Sequence, residues 1–396
     1  MRDVLIICPS ERDLEAVAAA SLGDRYRVRT IGADVDALDD FDPAAVVAEA
    51  EAVESFDGVV GTKDRTALLA AIVAAGRGLP GPTPASVLRC QHKPTSRALQ
   101  AAVAPGAVPH FVPLLDGRLP LPPPFFLKPV VGRLSQGARV VRAAAELPAH
   151  GLDAYAASYA RIVALAALDT PRFDGFIAEA LVSGLEVTLE GYVHRGAVTV
   201  IGTTDSVHYP GTRSFQRFEY PTRLGPARRA ELAELTRLVV PALGLDDCFF
   251  NVELAVPETG PAQIIEVNAR IASQFAPLVL AAHGRSTYDA LFALACGDDP
   301  AWSAGEPDGV AVSWVIRVFE DALVESVPEP EPGVEVLVRP GLRLSEQGLN
   351  DTVSYRLAIF SEHAPTREEA LDRCRRRAGA LLAGFRLSRA GRSAAW

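Results

Sequence analysis

Asn251-Val252-Glu253-Leu254-Ala255-Val256 and Gln263-Ile264-Ile265-Glu266-Val267-Asn268 are two strand-like runs separated by the turn-rich residues 257–262. The pattern predicts an antiparallel hairpin. With Val256 paired to Gln263, counting inwards sets Glu253 opposite Glu266 and Asn251 opposite Asn268, all on one face. Two carboxylates then stand about 5 Å apart and repel by about 3 kcal/mol at an effective dielectric of 20. A bare sheet does not favour that arrangement unless a proton or a cation bridges it. Magnesium suits it, because it takes hard oxygen ligands from one or two carboxylates and completes its octahedron with phosphate oxygens. A slipped register would give an ordinary solvated sheet face instead.

Upstream, Phe126-Leu127-Lys128-Pro129-Val130-Val131-Gly132-Arg133-Leu134-Ser135-Gln136-Gly137-Ala138-Arg139-Val140-Val141 delivers Lys128 on a strand, follows it with a glycine-bounded loop and returns on a second strand. Pro129 holds Lys128 extended, while Gly132, Ser135 and Gly137 let loop amides approach phosphate oxygens. No Gly-Lys-Ser/Thr follows and the next segment is strand-like, so this is a phosphate cover and not a P-loop. Lysine occurs only as Lys63, Lys93 and Lys128 in a chain whose other cations are arginine. A guanidinium does not replace a compact ammonium aimed at a phosphate oxygen, so each lysine is informative. Asparagine is equally scarce, at Asn251, Asn268 and Asn350.

Between these segments, the run from Gly175 to Glu190 places Glu179 ahead of a break at Ser183-Gly184 and then sets Glu186, Thr188 and Glu190 on one strand face. A kinked strand of this kind offers a carboxylate and backbone groups to a purine edge. The plainer reading of Thr188 and Glu190 is a half-exposed strand.

Residues 1–110 alternate strand and helix signals: an apolar run at 4–8, a helix near 13–20, a strand at 26–31, a helix near 43–55 and a strand at 58–61. That alternation predicts a doubly wound parallel sheet. Gly61-Thr62-Lys63-Asp64 falls at the carboxyl end of a strand, where such sheets bind ligands, although Asp64 is more simply read as the cap of a helix over 65–75. The proline-rich residues 119–124 form a stiff connector, after which the pattern changes to hairpins with turns at His194-Arg195-Gly196 and Glu258-Thr259-Gly260 and one helix near 227–243. A second stiff linker at 326–333 precedes strands at 334–338 and 352–360 and a helix over 366–382, with the tail after Arg386 read as frayed.

The 396 residues and 49% apolar content predict several packed lobes. A net charge of −10 disfavours nucleic-acid and acidic-membrane surfaces, which leaves small molecules as partners. Five cysteines without a C-x-x-C pair read as buried thiols in a reducing compartment. The opening apolar run is too short for a signal segment and no run is long enough to span a bilayer, so the expected address is the cytoplasm.

Taken in order, Lys93, Lys128 with its glycine loop, Glu179, Glu186, Glu253, Glu266, Asn268 and Arg270 resemble the ATP-grasp superfamily, over residues 1 to about 300. The tail resembles the closing lobe of its biotin-carboxylase-like and L-amino-acid-ligase branches. The resemblance implies α/β and α+β architecture in four parts: a Rossmann-like domain (1–110), a small lobe with the glycine-rich loop (111–185), a large lobe with the metal site (186–300) and a C-terminal α+β lobe (301–396). It implies ATP with Mg2+ or Mn2+, a homodimer, and a ligase that activates a carboxylate as an acyl phosphate and couples it to an amine. Lys93, Lys128, Ser135, Gln136 and Gly137 would touch phosphates; Glu179 and the Leu181 backbone would read adenine; Glu186 would hold the ribose. Glu253, Glu266 and Asn268 would bind the metal, with Arg270 and Lys128 stabilising the transferring charge. By the same likeness, His208, Arg213 and Glu219, read as a loop over 205–221, and Ser273 and Gln274 are candidates for phosphate or substrate contact. The sequence departs from its relatives at Cys90-Gln91-His92, where an acidic residue often precedes the lysine, and at Ala138, where valine is commoner. A bicarbonate-activating enzyme on the same scaffold and a non-catalytic ATP-binding protein of the synapsin kind are the alternatives.

Overall fold

The apolar run after Asp3 becomes β1 (Arg2–Ile7), which pairs in parallel with β2 (Tyr26–Ile31) on one side and β3 (Gly58–Val60) on the other. The crossovers are α1 (Glu11–Ala19), started by a Ser10–Asp13 capping box, and α2 (Pro43–Ala52), started by Asp42 with a proline in its first turn. The structure, a computed structural model, describes every residue except 36–40, 115–118, 133–135, 149–152, 170, 304, 348–353 and 389–396. Three further helices follow β3: α3 (Asp64–Arg77), α4 (Pro84–Gln91) and α5 (Lys93–Val103).

A second sheet contains β4 (Phe111–Leu114), β5 (Phe125–Pro129), β6 (Arg139–Val141) and β7 (Phe176–Glu179), antiparallel in the order β4-β7-β5-β6, with α6 (Asp153–Leu165) between β6 and β7 in sequence. Next come β8 (Leu185–His194) and β9 (Ala197–His208), joined through Arg195 and Gly196 at φ +50° and +78°. Positive φ at both central positions is what a two-residue hairpin turn requires. After β10 (Phe215–Tyr220) and α7 (Pro226–Ala242), the hairpin of β11 (Cys248–Val256) and β12 (Gln263–Asn268) forms as the sequence predicts, followed by α8 (Ala276–His283) and α9 (Thr287–Ala295).

The chain divides into two units. The first, Met1–Thr203 with Arg223–Ala276 and Arg285–Ser303, holds the parallel sheet, the four-stranded sheet and the strand run β12-β11-β8-β9. Its core includes Leu5, Leu68, Leu69, Val252, Leu254 and Ile264, all fully buried.

The second unit is Thr204–Thr222 with Pro277–Gly284 and Ala304–Trp396. Here β10 pairs with the end of β9 and with β13 (Val310–Val318); after β14 (Leu323–Ser326), the strands β15 (Val334–Val336) and β16 (Tyr355–Ala364) continue the sheet beyond β13. The helix α10 (Arg367–Gly384), capped by Thr366, covers a core of Trp314, Leu357, Phe360 and Leu381, and β17 (Arg386–Ser388) pairs with β14. Two expectations are corrected. Residues 205–221 are not a loop, because β9 continues through His208 and β10 occupies 215–220. The chain does not fray at Arg386, since β17 continues to Ser388; residues 389–396 lie outside the described residues. Among the described residues no helix is long and apolar enough to cross a membrane.

Candidate active site

Three adjacent strands of the first unit carry a polar face arranged in rows. Glu190 of β8 stands beside Asn251 of β11 and Asn268 of β12; Thr188 stands beside Glu253 and Glu266. Directly opposed residues share a face, so both rows look to the same side. Glu253 therefore faces Glu266 as the sequence predicts, but by a different count. Ala255, not Val256, pairs with Gln263, and a bulge at Ile265 restores the register before Glu266. The bulge has a chemical consequence, because the Ile265 carbonyl accepts hydrogen bonds from Arg97 Nη2 at 2.7 Å and Lys128 Nζ at 3.1 Å.

The two carboxyls differ in state. Burial, the neighbouring Glu266 and then Glu186 push Glu253 well up from its ordinary value. Burial acts on Glu266 in the same direction, yet Lys93, whose Nζ lies 3.1 Å from Oε1, and Lys128 hold it below the ordinary range. Two acids forced together behave in this way: one, here the partner of Lys93, ionises and its neighbour keeps its proton. Asn268 donates from Nδ2 to Asn251 Oδ1 at 2.9 Å and to Glu253 Oε1 at 3.3 Å, which leaves its carbonyl oxygen as an acceptor. Among the described residues no group of three or more His, Cys, Asp or Glu is placed to hold a metal. Two carboxylates and an amide oxygen form a partial set of hard donors, which fits an ion that shares its coordination with phosphate.

Lys93 begins α5, with His92 as its cap, and Lys128 stands on β5; both side chains are buried. Lys128 Nζ is 2.9 Å from Glu179 Oε2. Glu179 is gripped from its other side by Arg97, with Nε to Oε1 at 2.7 Å and Nη2 to Oε2 at 3.1 Å. Burial raises Glu179, but Lys128 and Arg97 outweigh it and hold the carboxyl below its ordinary value. Its carboxylate is thus engaged by two cations. The neighbouring Leu181 is exposed, in the segment between β7 and β8.

Arg270 is held by Asp64 through Nε. The helix starts at Asp64 itself with Lys63 as the cap residue, so Asp64 is not the expected cap; its carboxylate serves Arg270. Asn251 Nδ2 bonds the Arg270 carbonyl at 3.0 Å and fixes the backbone there. Burial disfavours the Arg270 charge, but Asp64, Glu253 and Glu266 together raise its pKa further. Glu190, expected to be half-exposed, is 2% exposed; burial raises it to about 8 although the Ala272 N–H donates to its Oε1 at 3.2 Å.

Ser273 donates to Asp13 Oδ1 at 2.6 Å, within a buried cluster with Ser10, Thr62 and Tyr288, so its hydroxyl has a structural partner; Gln274 is exposed. Glu186 is half-buried on the first residues of β8, Gln136 is exposed and Gly137 turns into β6 at φ +73°. Ser135 lies outside the described residues. His208, Arg213 and Glu219 belong to the second unit, where His208 stacks on Phe215 with ring centroids 4.7 Å apart and Glu219 pairs with Arg217 and Arg367. All five cysteines are buried and free. Sequence reasoning missed Arg97 as a site residue; the available signal was its position four residues after Lys93, hence on the same helix face.

Residues 121–277 match the family model of the ATP-grasp domain. No curated protein matches the chain. Among solved structures, the fold is similar to that of L-amino acid ligase from Bacillus licheniformis, at 19% identity over 98% of this chain and 99% of that one, with a TM-score of 0.71. It is similar to carboxyaminoimidazole ribonucleotide synthase from Aspergillus clavatus complexed with ATP, at 14% identity over 97% and 99%, TM-score 0.68. A biotin carboxylase from Campylobacter jejuni, solved as a β,γ-ATP complex, gives 15% identity over 98% and 92%, TM-score 0.64. Residues 121–277 are an ATP-grasp domain, and the chain has the ATP-grasp fold.

Proposed function

We propose that the protein is an ATP-dependent carboxylate–amine ligase that forms an amide through an acyl phosphate and releases ADP and phosphate. The observation that carries this reading is the half-buried Glu253–Glu266 pair, flanked by Lys93, Lys128 and Arg270. Glu253, Glu266 and the Asn268 carbonyl oxygen would hold Mg2+, which supplies charge neutralisation to the nucleotide phosphates. Lys128 and Lys93 would meet phosphate oxygens as point charges. Arg270, aligned by Asp64, would present its planar fork to the carboxylate substrate and to the charge that builds on the transferring group. Phosphoryl transfer of this kind runs on positioning and electrostatics, which suits a site built from cations and oxygen donors. A carboxylate oxygen of the substrate attacks the γ-phosphorus and ADP leaves; the amine then attacks the acyl carbon, phosphate leaves and the nitrogen loses a proton.

The similarity in fold to an L-amino acid ligase makes amino acids the first substrates to try, with a dipeptide or natural-product amide as product. The assay is ADP release with Mg-ATP and single carboxylates in the presence of hydroxylamine, which traps an acyl phosphate as a hydroxamate. Hydroxamate formed in step with ADP is the expected result. ADP release that depends on bicarbonate would make the protein a carboxylating enzyme. Tight nucleotide binding without turnover across all mixtures would make it a regulatory ATP-binding protein.

A further inference from the structure

We infer that Arg97 is the positioning residue of the phosphate site: it neutralises Glu179 and so leaves the ammonium of Lys128 available to an anionic oxygen. The inference rests on the nucleotide-binding part of the proposed function. Arg97 is 2% exposed, and all three of its nitrogens have partners. Nε and Nη2 hold the two oxygens of Glu179, Nη2 also donates to the Ile265 carbonyl, and Nη1 donates to Gln100 Oε1 at 2.9 Å. Gln100 is fixed in turn by its own bond to Ser96 Oγ at 2.8 Å. The guanidinium therefore has one orientation, set by helix α5, and it joins β7 to the bulge of β12.

Lys128 shares both main partners of Arg97, Glu179 Oε2 and the Ile265 carbonyl. An ammonium has three donors, and these two acceptors account for two of them. Two buried cations thus surround one carboxylate, which leaves one positive charge in surplus where water is excluded. That surplus favours an incoming anion, whose charge also relieves the repulsion between guanidinium and ammonium. With Arg97 neutral, Lys128 and Glu179 would cancel as a closed ion pair, and the site would have nothing extra to offer a phosphate. An arginine serves here because its fork engages both carboxylate oxygens at once, while a lysine would compete with Lys128 for one of them.

The test compares affinity for ADP and for adenosine, which lacks the phosphates, by calorimetry, alongside thermal denaturation. Arg97→Met should weaken ADP binding at least tenfold and change adenosine binding less than threefold. Equal losses for the two ligands, or unchanged ADP affinity, would overturn the inference, since a role confined to holding α5, β7 and β12 together predicts the first. The single variant leaves Glu179 buried against fewer cations, so the double variant Arg97→Met/Glu179→Gln guards against misfolding by restoring the charge count. Its ADP affinity should return to within about threefold of the parent protein, and a double variant as weak as Arg97→Met contradicts us. A parent protein that binds no ADP would refute the proposed function along with this inference, whereas failure of the variants alone leaves that function standing.

Discussion

A buried ammonium beside a guanidinium gives up its proton more readily than one in water. Burial and Arg97 lower Lys128 to about 8, against the opposite pull of Glu179 and Glu266. Only the protonated form attracts phosphate, so kcat/KM for ATP should fall as pH rises through about 8, the range set by the free protein. In Lys128→Arg the rate should be lower throughout, and this limb should vanish because a guanidinium does not titrate there. A limb that persists in the variant would assign it to another group. Glu190 behaves in the opposite sense. Its folded value is raised by burial from 4.5 to about 8, so its contribution to stability is intact below 4.5 and is lost as pH rises towards 8. Glu190→Gln should therefore raise the Tm at pH 9 relative to the parent and change it little at pH 4.5; a Tm gain of equal size at both pH values would show that the carboxyl is not held protonated. Nothing in the pattern separates Glu190 from Glu186, because alternation assigns a face to a side chain but not the depth of what covers that face.

Alternation made the β11–β12 hairpin legible, and Glu253 and Glu266 with it. The bulge is signalled only by the adjacent apolar pair Ile264-Ile265, which breaks the period of two. Deleting Ile265 should close the ladder with Leu254 opposite Ile264 and Glu253 still opposite Glu266, while removing the carbonyl that receives Arg97 and Lys128. We expect ADP affinity to drop about tenfold with the loss of these charge-assisted bonds. The Tm should stay within a few degrees, since Ile265 itself is only half-buried. Unchanged ADP affinity would show that the bulge has no part in the site. The end of β9 was illegible for a different reason: Thr203, Thr204, Asp205 and Ser206 are all buried, so the segment lacks the apolar alternation by which strands are recognised. Asp205 finds its partner in Thr222, and nothing local in the sequence announces that pairing.

At the scale of the whole molecule, the βα alternation of the first residues, the hairpins and the C-terminal helix follow from periodicity and caps, while the contacts that build the site do not. Arg97 meets Glu179 82 residues later and Ile265 168 residues later; Arg270 meets Asp64 across 206 residues. Such pairs are properties of the folded chain, and Arg97 and Asp64 look like ordinary helix residues when read in isolation. The first unit contains every candidate site residue described except His208, Arg213 and Glu219, so ligand binding should act on its stability by mass action. The proposed function has two opposed acids hold a divalent ion against a nucleotide's phosphates. Its most direct test is the anomalous scattering of manganese in crystals grown with Mn2+ and ADP. We expect a manganese peak within coordination distance of Glu253, Glu266 and Asn268 Oδ1, with a phosphate oxygen completing its shell; nucleotide bound with the metal elsewhere, or with Glu253 and Glu266 touching no ion, would overturn the proposed function.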